Sequence, residues 1–245
     1  MKKISIVMNI ILISILFILT LYIVNEYNKM QTYLFNVNRR GVTITKYLKE
    51  DKEEIIVPHY ILGKPVYSLE GTFCTTGGGG ARLKKIILPE GIKDIGITTF
   101  SSCISLEEMN IPEGVTILEE SSFMRCSNLE RVELPSTLKI IGKSTFFECY
   151  KLKTINLPSS LEVIGEEAFE RCRSLKWIII PESVKEIGEN AFRECENLEK
   201  VKIPASVEKI GENAFLGSEK VEIITPKNSY AEKYAKENNI PYQNE

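Results

Sequence analysis

Six cysteines are the residues of this 245-residue chain with the most chemistry to offer, and five of them, Cys103, Cys126, Cys149, Cys172 and Cys195, recur every 23 residues. Such a set could form a disulfide framework, hold zinc or supply a nucleophile. Zinc would call for C-x-x-C or paired histidines, and the chain has neither, its single histidine being His59. Equal spacing argues for a fourth role. It puts the five thiols in one slot of successive units, where a stacked chain lines identical side chains into an internal column. A buried cysteine is a small hydrophobe, so the expectation is a ladder of free thiols filling a core. Bridges between rungs would need Cα atoms within about 7 Å, a matter for thiol counting. Cys74 alone stands out of register, a candidate exposed thiol with no base beside it in the sequence.

Other routes to catalysis are thinner. His59 sits beside a proline in an irregular stretch, and there is no G-x-S-x-G elbow or H-E-x-x-H pair. The run Gly77 to Gly80 lacks the G-x-x-x-x-G-K-[ST] spacing of a phosphate loop and reads as an insertion. Lys plus Arg number 31 against 33 Asp plus Glu, a net charge of -2, so no basic field draws in nucleic acid. The expectation is a protein that is not an enzyme and uses no cofactor or metal.

The elements that position these residues are set by the period itself. Prolines fall at Pro89, Pro112, Pro135, Pro158, Pro181 and Pro204, with Phe100, Phe123, Phe146, Phe169, Phe192 and Phe215 eleven residues after each. Leu106, Leu129, Leu152, Leu175 and Leu198 follow the cysteines by three. Self-similarity at a fixed short period means a solenoid of stacked units, each too poor in apolar residues to fold alone. Alternation before each proline, as in Leu129, Val132 and Leu134, indicates a short strand, which proline ends because it has no N–H to donate. Leu138 and Ile141 form a second inward pair. Gly142, with Gly96, Gly165, Gly188 and Gly211 at the same slot, is expected to turn the chain with φ > 0; Glu119 replaces it once, so that corner should differ. The Ala-Phe step suits one short helical turn.

Ile4 to Val24 carries no charge, and its 21 residues make a helix of about 31 Å, enough to cross a bilayer core of roughly 30 Å. Lys2 and Lys3 keep its start in the cytoplasm and direct the remainder outward, although Lys29, Arg39 and Arg40 weaken the bias. The run is longer than a signal-peptide core and lacks a small-residue cleavage site. An uncleaved signal anchor is therefore favoured over secretion after cleavage. The expected organisation is a signal anchor over 1–24, a stalk over 25–40, the solenoid over 41–226, and a capping helix with a tail over 227–245. Asn228 or Ser229 would cap that helix, with Ala231, Tyr234 and Ala235 on its inner face.

The repeat P-x-x-[VIL]-x-x-I-G-x-x-A-F-x-x-C-x-x-L-x-x-[VI]-x-[IL] resembles the BspA-type, or Treponema-type, leucine-rich repeat of bacterial surface proteins. The entry G-V-T-I-T-K-Y, the segment Ile61 to Val66 and the closing stretch Ser229 to Tyr242 are similar to that family's ends. The resemblance implies a leucine-rich-repeat solenoid of short strands and short helical turns. It also implies an association with adhesion to host proteins or to other bacteria, and it brings no catalytic residues.

Function should then lie in residues that the period does not dictate. Outward strand slots fall four and two residues before each proline. Most hold mixed charge, but Trp177, the chain's one tryptophan, and Ile179 occupy slots that face water. With Arg131, Thr154, Asn156 and Lys200 they form a candidate protein-binding patch, since tryptophan and arginine are over-represented where binding energy concentrates. The expected protein is a single-pass membrane protein whose extracellular solenoid takes a protein ligand, host or bacterial. The alternative is a structural or sensory envelope protein that uses the solenoid as a scaffold.

Overall fold

The structure, a computed structural model, describes residues 2–49, 52–74 and 82–245, with side chains from residue 11 onward; the glycine run at 77–80 lies outside the described residues. The chain begins with α1 (Lys2–Thr32). Within it, Ile11–Thr32 has a mean hydropathy of 1.7 and is long and apolar enough to cross a membrane by length and composition. Two strands follow, β1 (Tyr33–Val37) and β2 (Val42–Tyr47), paired antiparallel. Residues 25–40, the expected stalk, are thus taken up by the end of α1, by β1 and by the turn that follows it. Next come β3 (Glu54–Ile56), β4 (Tyr60–Ile61) and β5 (Lys64–Leu69), with β4 and β5 forming a tight antiparallel hairpin.

From there each coil contributes two strands, one to each of two parallel ladders. The even-numbered strands are β6 (Lys85–Ile87), β8 (Glu108–Asn110), β10 (Arg131–Glu133), β12 (Thr154–Ile155), β14 (Trp177–Ile179), β16 (Lys200–Lys202) and β18 (Glu222–Thr225). The odd-numbered ones are two-residue strands: β7 (Asp94–Ile95), β9 (Ile117–Leu118), β11 (Ile140–Ile141), β13 (Val163–Ile164), β15 (Glu186–Ile187) and β17 (Lys209–Ile210). The odd ladder runs unbroken from β1 and β2 through β5 to β17, whereas the even ladder divides into β12-β10-β8-β6-β3 and β14-β16-β18-β19, where β19 is Tyr242–Asn244. Antiparallel β1 covers the first edge of the odd ladder, which would otherwise expose unpaired backbone groups. At the other end α2 (Tyr230–Glu237) is N-capped by Ser229, whose side chain accepts from the Glu232 N–H, and buries Ala231, Tyr234 and Ala235.

Inside, the period becomes columns. The phenylalanines from Phe73 to Phe215 stack rung on rung with centroids 5.2–5.5 Å apart. The rings flatten along the column, from an interplanar angle of 56° at the first pair to 3° between Phe169 and Phe192 and 6° at the last pair. The edge of Tyr234 closes the column at 6.2 Å. Cys126, Cys149, Cys172 and Cys195 are buried free thiols, and each Sγ donates to the phenylalanine carbonyl 26 residues earlier, at 3.1–3.3 Å. Ser218 fills the same slot in the last coil and repeats the bond, to Phe192 O at 2.8 Å.

Three expectations need correction. The thiol ladder is not wholly free: Cys103 is bridged to Cys74, with Cα atoms 5.1 Å apart. Cys74, the candidate exposed thiol, is 2% exposed. It directly follows Phe73, and this step beside the aromatic column turns its side chain inward, within reach of the next rung. The repeat glycines do not adopt φ > 0. Their reason is close approach of neighbouring coils: a Cβ on Gly165 would lie 2.7 Å from the Gly142 carbonyl carbon, and one on Gly211 2.3 Å from Glu189 N. A Cβ on Gly96 would find nothing nearer than 3.3 Å, so the stack is looser at its start, where Glu119 is accommodated with its side chain exposed.

Positive φ is found instead on both sides of each phenylalanine. Residues two before it, such as Ser144 (φ 50°) and Glu167 (φ 56°), and two after it, such as Glu148 (φ 58°) and Arg171 (φ 60°), are left-handed. They break what would be a helical turn into successive i→i+3 turns, among them Phe147 N to Ser144 O and Cys149 N to Phe146 O. In the four middle coils the second of these slots holds a long charged side chain that pairs between coils. Arg125 meets Glu148 at 3.1 Å, Glu148 meets Arg171 at 2.8 Å, and Arg171 meets Glu194 at 2.8 Å.

Candidate binding face

The even-numbered strands turn Ile86, Met109, Val132, Ile155, Ile178 and Val201 into the core. By the two-residue alternation of a strand, the residues on either side of each must face out. Lys85, Arg131, Thr154, Trp177 and Lys200 are exposed in one outward column, with Glu108 half-buried among them; Ile87, Asn110, Glu133, Asn156 and Ile179 are exposed in the other. All six sequence-chosen residues therefore lie on this face, but the break between β12 and β14 divides them. Arg131 and Thr154 are cross-strand partners on one side, and Trp177 and Lys200 are partners on the other. Asn156 follows the end of β12, at the break itself.

Electrostatics separates the two halves further. In the first half, Glu108 lies between Lys85 and Arg131, at 2.8 Å from each. Hydrogen bonds from Lys85 and Arg131 hold its carboxyl below the usual carboxylate range. Lys153 and Glu130 pair at 2.6 Å nearby. These partners stand one period apart, so a side chain chosen to neutralise its neighbour repeats along the ladder. A groove of about 950 Å³ opens here, lined by Ile87, Glu108, Asn110, Arg131 and Glu133 among others. Of the six candidates only Arg131 enters it. The groove went unrecognised in the sequence, where its one signal was the alternation of Lys85, Glu108 and Arg131 at 23-residue spacing.

In the second half two outward side chains are apolar and a neighbouring lysine, Lys200, has no ion-pair partner among the described residues. Trp177 is 45% exposed and Ile179 54% exposed. Their cross-strand partners are Lys200 and Lys202, and Lys202 is drawn off to Glu245 at 2.8 Å. A flat ring beside the free Lys200 ammonium can take an apolar or aromatic group and, next to it, a carboxylate.

The thiol column offers no comparable chemistry. Burial pushes the thiols of Cys149, Cys172 and Cys195 far up, so they are protonated at neutral pH and act as filling. No group of three or more potential metal ligands forms among the described residues.

The family model for the BspA type leucine rich repeat region matches residues 79–192 and 139–239, with six copies. Among solved structures, the leucine-rich repeat protein of Treponema pallidum is 29% identical, with a TM-score of 0.60 over 78% of this chain and 78% of its own. A leucine-rich repeat protein from Bacteroides ovatus is 23% identical, with a TM-score of 0.45 over 79% of this chain and 70% of its own. A leucine rich cell surface protein from Faecalibacterium prausnitzii is 20% identical, with a TM-score of 0.28 over 83% and 95%. No curated protein matches the chain.

Proposed function

The chain belongs to the BspA-type leucine-rich repeat family, a class of interaction scaffold, and from that premise we propose that it is a membrane-anchored, outward-facing adhesion module that binds a protein of a host or of another bacterium. α1 serves as the uncleaved anchor and the even-numbered strand face as the contact surface. The observation that carries the reading is the pair Trp177 and Ile179, exposed beside the unpaired Lys200 on a ladder whose neighbouring charges are neutralised by each other. The exposed parts of these apolar side chains supply the desolvated centre that a protein interface needs. Arg131, Thr154 and Asn156 extend the contact across the break toward the groove.

The test compares cells carrying the native chain with cells carrying Trp177→Ala, in adhesion to immobilised host matrix proteins and to neighbouring bacteria. Loss of Trp177 should weaken attachment at least tenfold, the scale at which interface tryptophans act, while the variant's thermal unfolding stays unchanged. Equal attachment to every partner that the native chain holds would remove the reading and leave the solenoid as a scaffold.

A further inference from the structure

The hairpin of β4 and β5 turns through Leu62 (φ 51°) and Gly63 (φ 71°), the two left-handed positions of a two-residue loop. Such positions favour Asn, Asp or Gly, because a left-handed conformation crowds the Cβ of other residues. Here a leucine takes the first of them and points outward, 48% exposed, beside Tyr60 at 57%. The tip thus presents two apolar side chains, Leu62 and Tyr60, to its surroundings.

Its position identifies those surroundings. The Leu62 N–H donates to the Glu26 carboxylate, and Lys29 Nζ donates to Tyr60 O at 2.8 Å. The tip is thereby fixed against α1 at the level of Glu26, two residues past Val24, where the uncharged run ends. At 1.5 Å per residue that is about 3 Å beyond the apolar segment, the depth of lipid headgroups when the helix spans a bilayer.

Charge at this level points the same way. Lys64 Nζ donates to Asn38 O at 3.2 Å, which brings the turn bearing Arg39 and Arg40 next to the tip. Along the coils, lysines and arginines are repeatedly neutralised by a glutamate one period away. Arg39, Arg40 and Lys64 make no ion pair among the described residues, and Arg39 and Arg40 are exposed.

We propose that the Tyr60–Lys64 tip, together with Arg39 and Arg40, is a foot that seats the solenoid on an anionic lipid surface. Leu62 and Tyr60 enter the headgroup–acyl boundary, where apolar and aromatic side chains are favoured, and the three cations meet lipid phosphates. Because the same tip is hydrogen-bonded to α1, the foot also fixes how the coils are presented above the membrane. The inference rests on α1 being a membrane anchor.

The experiment uses the full chain with Trp177→Phe, so that one introduced tryptophan reports. Leu62→Trp and Tyr60→Trp probe the foot, and Tyr22→Trp probes the helix. Each is reconstituted in vesicles of phosphatidylcholine alone or mixed with phosphatidylglycerol. Tryptophan at 62 and at 60 should be quenched by lipids brominated near the headgroup and shielded from aqueous iodide. In the anionic vesicles each of Arg39→Gln and Arg40→Gln should lower the ratio of seated to free tip by about fivefold, the effect of one basic residue near an anionic surface. Exposure of both tip reporters to iodide, with no quenching by bromolipid, overturns the foot if the reporter at 22 is quenched. If the reporter at 22 also escapes quenching, the anchor itself fails, and the foot with it.

Discussion

Gly188→Ala tests the reason for the glycine column. A Cβ at Gly188 would lie 2.4 Å from Glu166 N and 2.5 Å from Gly165 C, both backbone atoms of the preceding coil. Ordinary contact begins near 3.4 Å, so the coils would have to part by about 1 Å. They are held together at this point by the bond from Gly188 N to Ile164 O at 2.8 Å, and near it by the rings of Phe169 and Phe192 at 5.3 Å. No side chain is available to swing away, which places the cost at the upper end of the overpacking range, about 3 kcal/mol. Replacing glycine also removes freedom from the unfolded chain, which returns roughly 0.4–1 kcal/mol. The net expectation is a loss of about 2 kcal/mol, or roughly 4–8 °C in midpoint for a chain of this size. Gly96→Ala is the control: its nearest contacts are 3.3 Å, to Leu69 O and to the movable Glu70 side chain, and its midpoint should shift by less than about 2 °C. Thermal unfolding of both variants in detergent, followed by Trp177 fluorescence, makes the comparison. Equal shifts for the two, or no shift for Gly188→Ala, would refute the close-approach argument.

Two further outcomes follow from the core and its charge ladder. The bond between Cys74 and Cys103 closes a separation of 29 residues. Cys103→Ser should therefore cost about 3–4 kcal/mol by the loop-entropy relation, and the denatured native chain should show four reactive thiols before reduction and six after it. Arg171, hydrogen-bonded to Glu194, holds that carboxyl below its ordinary value near 4.5. At Glu148 burial works to raise the carboxyl, but the hydrogen bonds from Arg171 and Arg125 outweigh it and lower it. A carboxyl lowered by folding adds stability above its unfolded value and loses it as pH falls through the folded one. Acid unfolding of Arg171→Gln, measured below pH 4.5, should accordingly show a weaker pH dependence than that of the native chain.

Much of this molecule was legible because repetition is a strong form of evidence. Phe100 to Phe215 and Cys126 to Cys195 each fall into one buried column, since equal spacing forces equal environment. The C-terminal helix was legible from Ser229 and from the spacing of Ala231, Tyr234 and Ala235. Cys74 was misread because its register was counted along the chain, whereas its partner is fixed by proximity across coils. Residues 25–40 are short and mixed in polarity, which gives a stalk from sequence alone; the pairing of β1 with the edge of β2 is visible only in three dimensions. The candidate face was legible residue by residue, as exposed strand slots. Its division between β12 and β14 and the pairing of Arg131 with Glu108 were not.

By itself the amino-acid sequence determined the architecture: the period states which slots turn inward, and a unit of 23 residues with so few apolar positions can be stable only in a stack. Tertiary structure alone decided what happens between coils. Which glycines face backbone, which cysteine is bridged, which charges cancel and where the Leu62 tip meets α1 all depend on distances of a few ångströms between residues far apart in the chain. A linear pattern carries direction, inward or outward, but it carries no separation, and contact energies depend on separation.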